Sequence, residues 1–312
     1  MVSKNGLFRD GCESVETDNY KDTFLGDKTT NDLESMTVCI AAICEKGELA
    51  IIVSDRLLTS EGMLLEFEHS TPKIVALTNN CAAAIAGDMQ VSTELFELAR
   101  PKIDGVENAT VSDVGKCVYD AFFELRQKKI EEDILRPKGI RDLKEYHKLQ
   151  KQLLRDVVLM IENQIDAFEL ELQVLVAGVE EDGAHIYCIE DPSDFTTYDA
   201  RGYHAIGIGA RHALTSLTVQ GYDQKTSFAK AIMSTYEAKK IAEGAPHVGS
   251  KSTNMMFISK SANAMVEAED IEEFNNLYQT KVQQISQVEE NWGKDLDSIS
   301  RNISKKISNG EQ

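Results

Sequence analysis

The chain has 312 residues, room for one large domain or two, and its 42% hydrophobic and 27% charged residues are ordinary for a folded protein. A formal charge of −19 argues against nucleic acid as a partner, because phosphate binding needs clustered Lys and Arg. No apolar stretch approaches the roughly 20 residues that span a bilayer, and the N-terminal region has no apolar signal core, so a cytoplasmic chain with no membrane partner is expected.

Residues 1–36 mix Gly, Asp, Asn, Ser, Thr and Lys with few large apolar groups, and read as a flexible leader or propeptide. The composition then changes. Thr37–Cys44 and Leu49–Val53 are apolar runs around the turn Glu45-Lys46-Gly47-Glu48, which predicts a hairpin covered on both faces. Met63–Glu68, Lys73–Leu77 and Cys81–Ala86 read as further strands. Helices follow: Val91–Leu98, ended soon after by Pro101; Ser112–Ile130, opened by a Ser cap; and Arg141–Phe168, with Leu143, Tyr146, Leu149, Leu153, Val157, Met160 and Ile161 in one stripe. The helical stretch of about 127–166 thus reads as an excursion.

Strands return at Leu172–Val179 and His185–Ile189. Helices are expected over Ala210–Val219 and Thr226–Ala242, a closing hairpin over Asn254–Ser259 and Ala264–Ala268, and an acidic helical extension over 269–312. This order suits an α+β protein, a four-layer αββα sandwich with two sheets face to face and helices outside. Cys12, Cys39, Cys44, Cys81, Cys117 and Cys188 lie scattered without metal or redox spacing and read as thiols in a reducing compartment. His185, His204, His212 and His247 share no metal spacing, and Gly207-Ile208-Gly209 lacks the rest of a dinucleotide fingerprint, so neither metal nor cofactor is expected.

Four positions fit one mechanism. Thr37 stands where the leader meets the first strand; as a new N-terminus it would carry a hydroxyl nucleophile beside an α-amine of pKa near 8. Taken singly, Thr37 is also an ordinary strand residue, Asp55 a turn residue, Lys73 an edge lysine and Gly87 a turn glycine. Together they supply what amide cleavage needs: a nucleophile, a lysine that lowers its proton affinity, a carboxylate that orients the lysine, and a backbone N–H for the oxyanion.

Thr37-Val38-Cys39-Ile40, Ser54-Asp55-Arg56, Pro72-Lys73-Ile74 and Ile85-Ala86-Gly87-Asp88 resemble the successive N-terminal motifs of proteasome β-type subunits, which are N-terminal-nucleophile hydrolases. The resemblance continues in Gln173–Gly178, His185-Ile186-Tyr187 and Ala205–Gly209, spans about 37–268, and looks closest to bacterial and archaeal β-like relatives. It implies a threonine-type peptidase or amidohydrolase, with Thr37 as nucleophile, Lys73 and Asp55 as its activating pair and Gly87 as oxyanion donor. It further implies no cofactor, a homo-oligomeric ring or stack, a peptide or amide substrate, and an unfoldase as a candidate partner. This sequence departs from the family pattern. Ile208 stands where the family often has serine, Met36 where leaders usually end in glycine, and only Glu243 and Ser250 stand near the late acidic and serine positions; the helical stretch of about 127–166 is longer than in typical subunits and the acidic C-terminal extension is extra. Ile208, the missing leader glycine and the long helical insert favour the alternative reading, a catalytically silent subunit with an assembly or binding role.

Overall fold

The computed structural model describes residues 37–55, 57–59, 66–68, 73–191, 194–245, 248–249 and 252–308. The leader 1–36, Arg56, Pro72, His247, Ser250 and the first part of the strand expected over Met63–Glu68 lie outside the described residues.

The fold is α+β, built on two five-stranded antiparallel sheets. The first two runs form β1 (Cys39–Cys44) and β2 (Leu49–Asp55), joined by a tight helical turn over Glu45–Gly47. A short pair, β3 (Leu57–Thr59) and β4 (Glu66–Glu68), follows. Then come β5 (Ile74–Thr78), β6 (Cys81–Gly87), α1 (Met89–Asp104) and α2 (Val111–Ile130). After α3 (Leu143–Leu149) and α4 (Arg155–Asp166) the strands resume as β7 (Leu172–Glu180), β8 (Gly183–Glu190), β9 (Asp194–Thr197) and β10 (Tyr203–Ile206). The chain continues through α5 (Ala210–Val219), α6 (Phe228–Ala242), β11 (Thr253–Ser259), β12 (Asn263–Met265) and α7 (Ala268–Ser308). One sheet has the order β10-β1-β2-β11-β12 and the other β5-β6-β7-β8-β9.

Alternate residues of the same strand enter different cores, as a pleated strand covered on both faces requires. On β1, Ile40 and Ala42 join a cluster with α5 and α6 residues such as Leu217 and Tyr236. Cys39, Ala41 and Ile43 join a second cluster with Ala84, Leu175 and Ile186 of the other sheet. A third cluster holds Ile85 and Val174 against Leu95, Phe122 and Leu125 of α1 and α2. The six residues of β1 are fully buried, and each large aliphatic group among them contributes roughly 2 kcal/mol by leaving water.

Several expectations need correction. The helix expected over Arg141–Phe168 is two helices, α3 and α4, with a bend between Gln150 and Leu154. A straight helix of that length would run about 40 Å and leave part of its stripe uncovered. Bending instead lets Leu143, Leu149, Val157 and Ile161 share one small core with Ile130, Leu135 and Tyr146. The Tyr146 hydroxyl and Gln150 Nε2 both donate to Glu162 Oε1, at 2.8 and 2.7 Å, and fasten the bend. Met160 is not part of that core; it is 46% exposed.

Pro101 lies inside α1 rather than ending it, because only one turn remains and Ile103 is anchored in the core. The cap of α2 is Thr110, not Ser112: its hydroxyl accepts from the Asp113 amide while Asp113 accepts from the Thr110 amide. The final hairpin is shorter than expected, and Ala268 already begins α7. Strand β9 escapes the pattern because its four residues are all exposed and do not alternate. Its Phe195 nonetheless stacks on Tyr187 with ring centroids 4.9 Å apart.

Candidate active site

Thr37 sits at the entry to β1, and its backbone is held from two sides. The Asp55 amide donates to the Val38 carbonyl at 3.2 Å, and the Gly209 amide donates to the Thr37 carbonyl at 3.2 Å. Gly207 lies against that carbonyl in the left-handed region, φ +83°, where a Cβ would stand 2.4 Å from the Thr37 oxygen. Glycine is therefore the residue this approach admits. The Gly207 amide in turn donates to Gln173 Oε1 on β7 at 2.8 Å, tying the two sheets together beside Thr37. Ile208, between the two glycines, packs against the apolar cluster that contains Val38.

The structure brings Thr37, Asp55 and Lys73 into contact. The Thr37 hydroxyl donates to Asp55 Oδ1 and accepts from Lys73 Nζ. Lys73 Nζ also donates to Asp55 Oδ1 at 3.0 Å. All three are buried: Thr37 is 2%, Asp55 0% and Lys73 4% exposed. A buried ion pair persists only when its remaining hydrogen-bonding capacity is met. Here the Val38 amide donates to Oδ1 at 3.2 Å and the Gly249 amide to Oδ2 at 3.1 Å. An ammonium against the threonine oxygen stabilises the alkoxide that a nucleophilic attack would call on. Asp55 is thus the last residue of β2, not a free turn residue.

Cys39 is the other nucleophilic type nearby, and its environment silences it. Its thiol donates to the Ile85 carbonyl at 3.2 Å. Burial pushes its pKa up to about 12, and the nearby Lys73 charge only partly opposes this.

Gly87 is placed by register. The Ile85 amide donates to the Lys73 carbonyl at 3.1 Å, and Gly87 lies two residues further along β6. Its φ is +136°, and a Cβ there would stand 2.3 Å from the Glu171 carbonyl oxygen. Backbone crowding alone therefore demands glycine at this position. Beyond it, Asp88 caps α1 by accepting from the Gln90 and Val91 amides at 2.6 and 2.8 Å. A cavity of about 250 Å³ opens beside this turn, lined by Val75, Ile85, Met89, Thr93, Phe96 and Arg100, among others.

Sequence reasoning missed Lys239. This lysine on α6 is fully buried, and its Nζ donates to Glu243 Oε1 at 2.6 Å and to the Gly249 and Ser252 carbonyls at 3.0 and 3.2 Å. Burial pushes its pKa down, while Glu243 opposes that shift. Lys239 thereby fixes the segment whose Gly249 amide holds Asp55. The available signal was a lysine on the small-residue face of Ala231, Thr235, Ala238 and Ala242, four residues before a glutamate. Glu243, noted from the sequence as a late acidic residue, is the partner of Lys239 and, at 2.7 Å, of Lys240.

Elsewhere, Glu180, Asp182 and His185 at the β7–β8 turn place candidate ligand atoms within 4.8 Å of one another. His185 is hydrogen-bonded on both ring nitrogens, with Nδ1 2.8 Å from Asp199 and Nε2 3.1 Å from Asp182. Among the described residues no helix is long and apolar enough to cross a membrane. The described cysteines are free thiols: Cys39, Cys44, Cys81 and Cys188 are buried and Cys117 partly so. Compared with known proteins, the chain matches no protein-family model and no curated relative.

Proposed function

We propose that this chain is a threonine-type N-terminal-nucleophile hydrolase of the proteasome β class, cleaving peptide or other amide bonds through an acyl-enzyme on Thr37. One observation carries the reading: the Thr37 hydroxyl is clamped between the Lys73 ammonium and the Asp55 carboxylate at a buried strand entry. The clusters on both faces of both sheets support the four-layer αββα sandwich of that class over residues 37–268, with 127–166 as an insertion and 269–312 as an extension.

In the proposed reaction Thr37 Oγ1 attacks the carbonyl carbon of the scissile amide. Lys73 stabilises the developing negative charge on that oxygen, and Asp55 holds Lys73 charged and aimed. The hydroxyl proton passes to the α-amine of Thr37, available once Thr37 is N-terminal, and from there to the leaving amine. An ester to Thr37 results, and water hydrolyses it by the same route in reverse. The Gly87 amide is the proposed oxyanion donor, and the cavity that includes Ile85 and Met89 is the proposed seat of a substrate side chain. We place the protein in the cytoplasm as a cofactor-free homo-oligomer, with an unfoldase as a candidate partner for protein substrates.

The deciding experiment treats the purified protein with a threonine-directed electrophile and maps the adduct by mass spectrometry, alongside turnover of unfolded protein and small amides. Labelling at Thr37, with hydrolysis abolished in a Thr37→Ala variant that remains folded, is the expected result. Undiminished hydrolysis in that variant overturns the mechanism. The alternative, a silent subunit, draws on the 2% exposure of Thr37 in this chain. It predicts a retained leader, no adduct and no turnover.

A further inference from the structure

The candidate oxyanion donor is backed by a residue in an uncommon conformation. Glu171 has φ +53°, in the left-handed region that side chains other than glycine rarely adopt. Its carbonyl is the oxygen against which Gly87 lies, 2.3 Å from where a Cβ would stand. Gly87 and Leu172 are the last pair of the β6–β7 ladder, so residues 170–171 set the peptide that faces Gly87. Backbone of this kind persists where its surroundings over-determine it.

Asp191 supplies that constraint. It directly follows β8, and its Oδ2 accepts from two successive amides, Leu170 at 2.7 Å and Glu171 at 3.1 Å. Arg126 of α2 grips the same segment by its carbonyls: Nη2 donates to Phe168 at 2.9 Å and to Ile165 at 3.2 Å. The two side chains are nearly buried and face each other, with Nε 3.8 Å from Oδ1. Neither of those two atoms has a hydrogen-bond partner among the described residues. A buried pair kept for stability alone would close that gap, because each unmet polar group is destabilising. Here both charges are committed to backbone groups of 165–171 instead. The arrangement forgoes the direct bond and fixes the segment.

The neighbouring residue reaches the nucleophile in the same way. Glu190 Oε2 accepts from Gln173 Nε2 at 2.8 Å, and Gln173 Oε1 accepts from the Gly207 amide at 2.8 Å. Gly207 lies against the Thr37 carbonyl. Two consecutive residues at the end of β8 thus reach both halves of the candidate site through the start of β7.

We propose that Asp191 is a positioning residue: by holding the Leu170 and Glu171 amides it fixes the Glu171 carbonyl, and through it the backbone of Gly87, in the orientation that receives an oxyanion. This role rests on the hydrolase reading, which makes Gly87 the oxyanion donor. Asp191 acts through Glu171 and not on the substrate.

The test uses the full chain and two kinds of readout. In protein carrying carbon-13 at the alanine carbonyl and nitrogen-15 in glycine, only Gly87 and Gly178 follow an alanine, so Gly178 is an internal reference for the Gly87 amide signal. Asp191→Ala should move the Gly87 signal and leave Gly178 in place. It should also lower kcat for amide hydrolysis about tenfold with KM little changed, a smaller loss than removal of a whole oxyanion donor. Asp191→Asn, which keeps an oxygen for both amides, should restore most of the signal position and of kcat. Labelling of Thr37 by a peptide vinyl sulfone should keep its rate in Asp191→Ala, since that addition builds no oxyanion on a carbonyl. If Asp191→Ala does not fold, Asp191→Glu keeps a charge beside Arg126 while displacing the accepting oxygen, and the same changes are expected of it.

A Gly87 signal unmoved in the variant overturns the proposal whatever the activity. So does a displaced signal with unchanged kcat. Vinyl sulfone labelling slowed as far as hydrolysis overturns it too, and marks Asp191 as a general support of the fold. No turnover by the unsubstituted protein is instead a failure of the hydrolase reading, and the Gly87 signal then still decides whether Asp191 sets that amide.

Discussion

The Gly209 amide donates to the Thr37 carbonyl at 3.2 Å, while Gly207 presses its bare α-carbon against the same oxygen. The Gly-x-Gly segment is thus a cradle for the candidate nucleophile's backbone. Gly207→Ala should destabilise the fold by about 2–4 kcal/mol, since it adds a close contact to a left-handed backbone. Activity should fall with it, because Thr37 must shift. Gly139→Ala is the control: it has a similar φ of +77° and nothing within 4 Å of its Cβ, so only the smaller conformational cost, about 1 kcal/mol, should appear in thermal unfolding.

Lys73 and Thr37 should behave as one catalytic unit. Lys73→Ala should reduce turnover nearly as far as Thr37→Ala, and the double variant should be scarcely worse than either. Stability should separate them. Removing Lys73 leaves the Asp55 carboxylate buried without its cation, at about 3–5 kcal/mol, whereas Thr37→Ala removes a neutral partner and costs about 1–2 kcal/mol. Equal melting temperatures for the two variants would contradict this account of the ion pair.

Lys239 is predicted to be a positioning residue. Lys239→Met keeps the stem but releases the Gly249 and Ser252 carbonyls and so loosens the amide that holds Asp55. The expected signature is a kcat lowered about tenfold with KM little changed, together with slower electrophile labelling of Thr37. A purely structural lysine would lower the melting temperature and leave the labelling rate of the folded fraction untouched.

His204 gives a pH test. It lies on β10 opposite Ala41, stacked on Tyr198, and burial, helped by the Arg201 charge, lowers its pKa to about 4 from 6.5. Between those values the unfolded chain binds the proton and the folded one does not. This contribution to stability is therefore complete above pH 6.5, is lost as pH falls toward 4, and levels off below that. The full effect is at most about 3 kcal/mol. His204→Gln should flatten the slope of unfolding free energy against pH in that window, and an unchanged slope would remove His204 as its source.

The local elements were legible wherever burial is regular. The β1–β2 hairpin, β6 and β7 announce themselves as apolar runs because both of their faces are covered. Where burial is partial the pattern fails. Asp194–Thr197 is an exposed edge strand, and the stripe over 143–161 reads as one helix because a bent pair keeps the same spacing as a straight one.

By itself the sequence determined which residue types could do chemistry, and in what order they lie. Thr37, Asp55, Lys73 and Gly87 stand out because each adjoins the end of an apolar run. Only the tertiary structure decided that Thr37, Asp55 and Lys73 touch, since β1 and β2 belong to one sheet and Lys73 enters the other. It also supplied the Gly207 cradle, the Gln173 tie and the Lys239 brace, which come from segments more than 100 residues away in the chain. Backbone amides and buried cations have no periodicity of their own. Their roles are set by which carbonyl or carboxylate the packing brings within reach, and that is a property of the assembled layers alone.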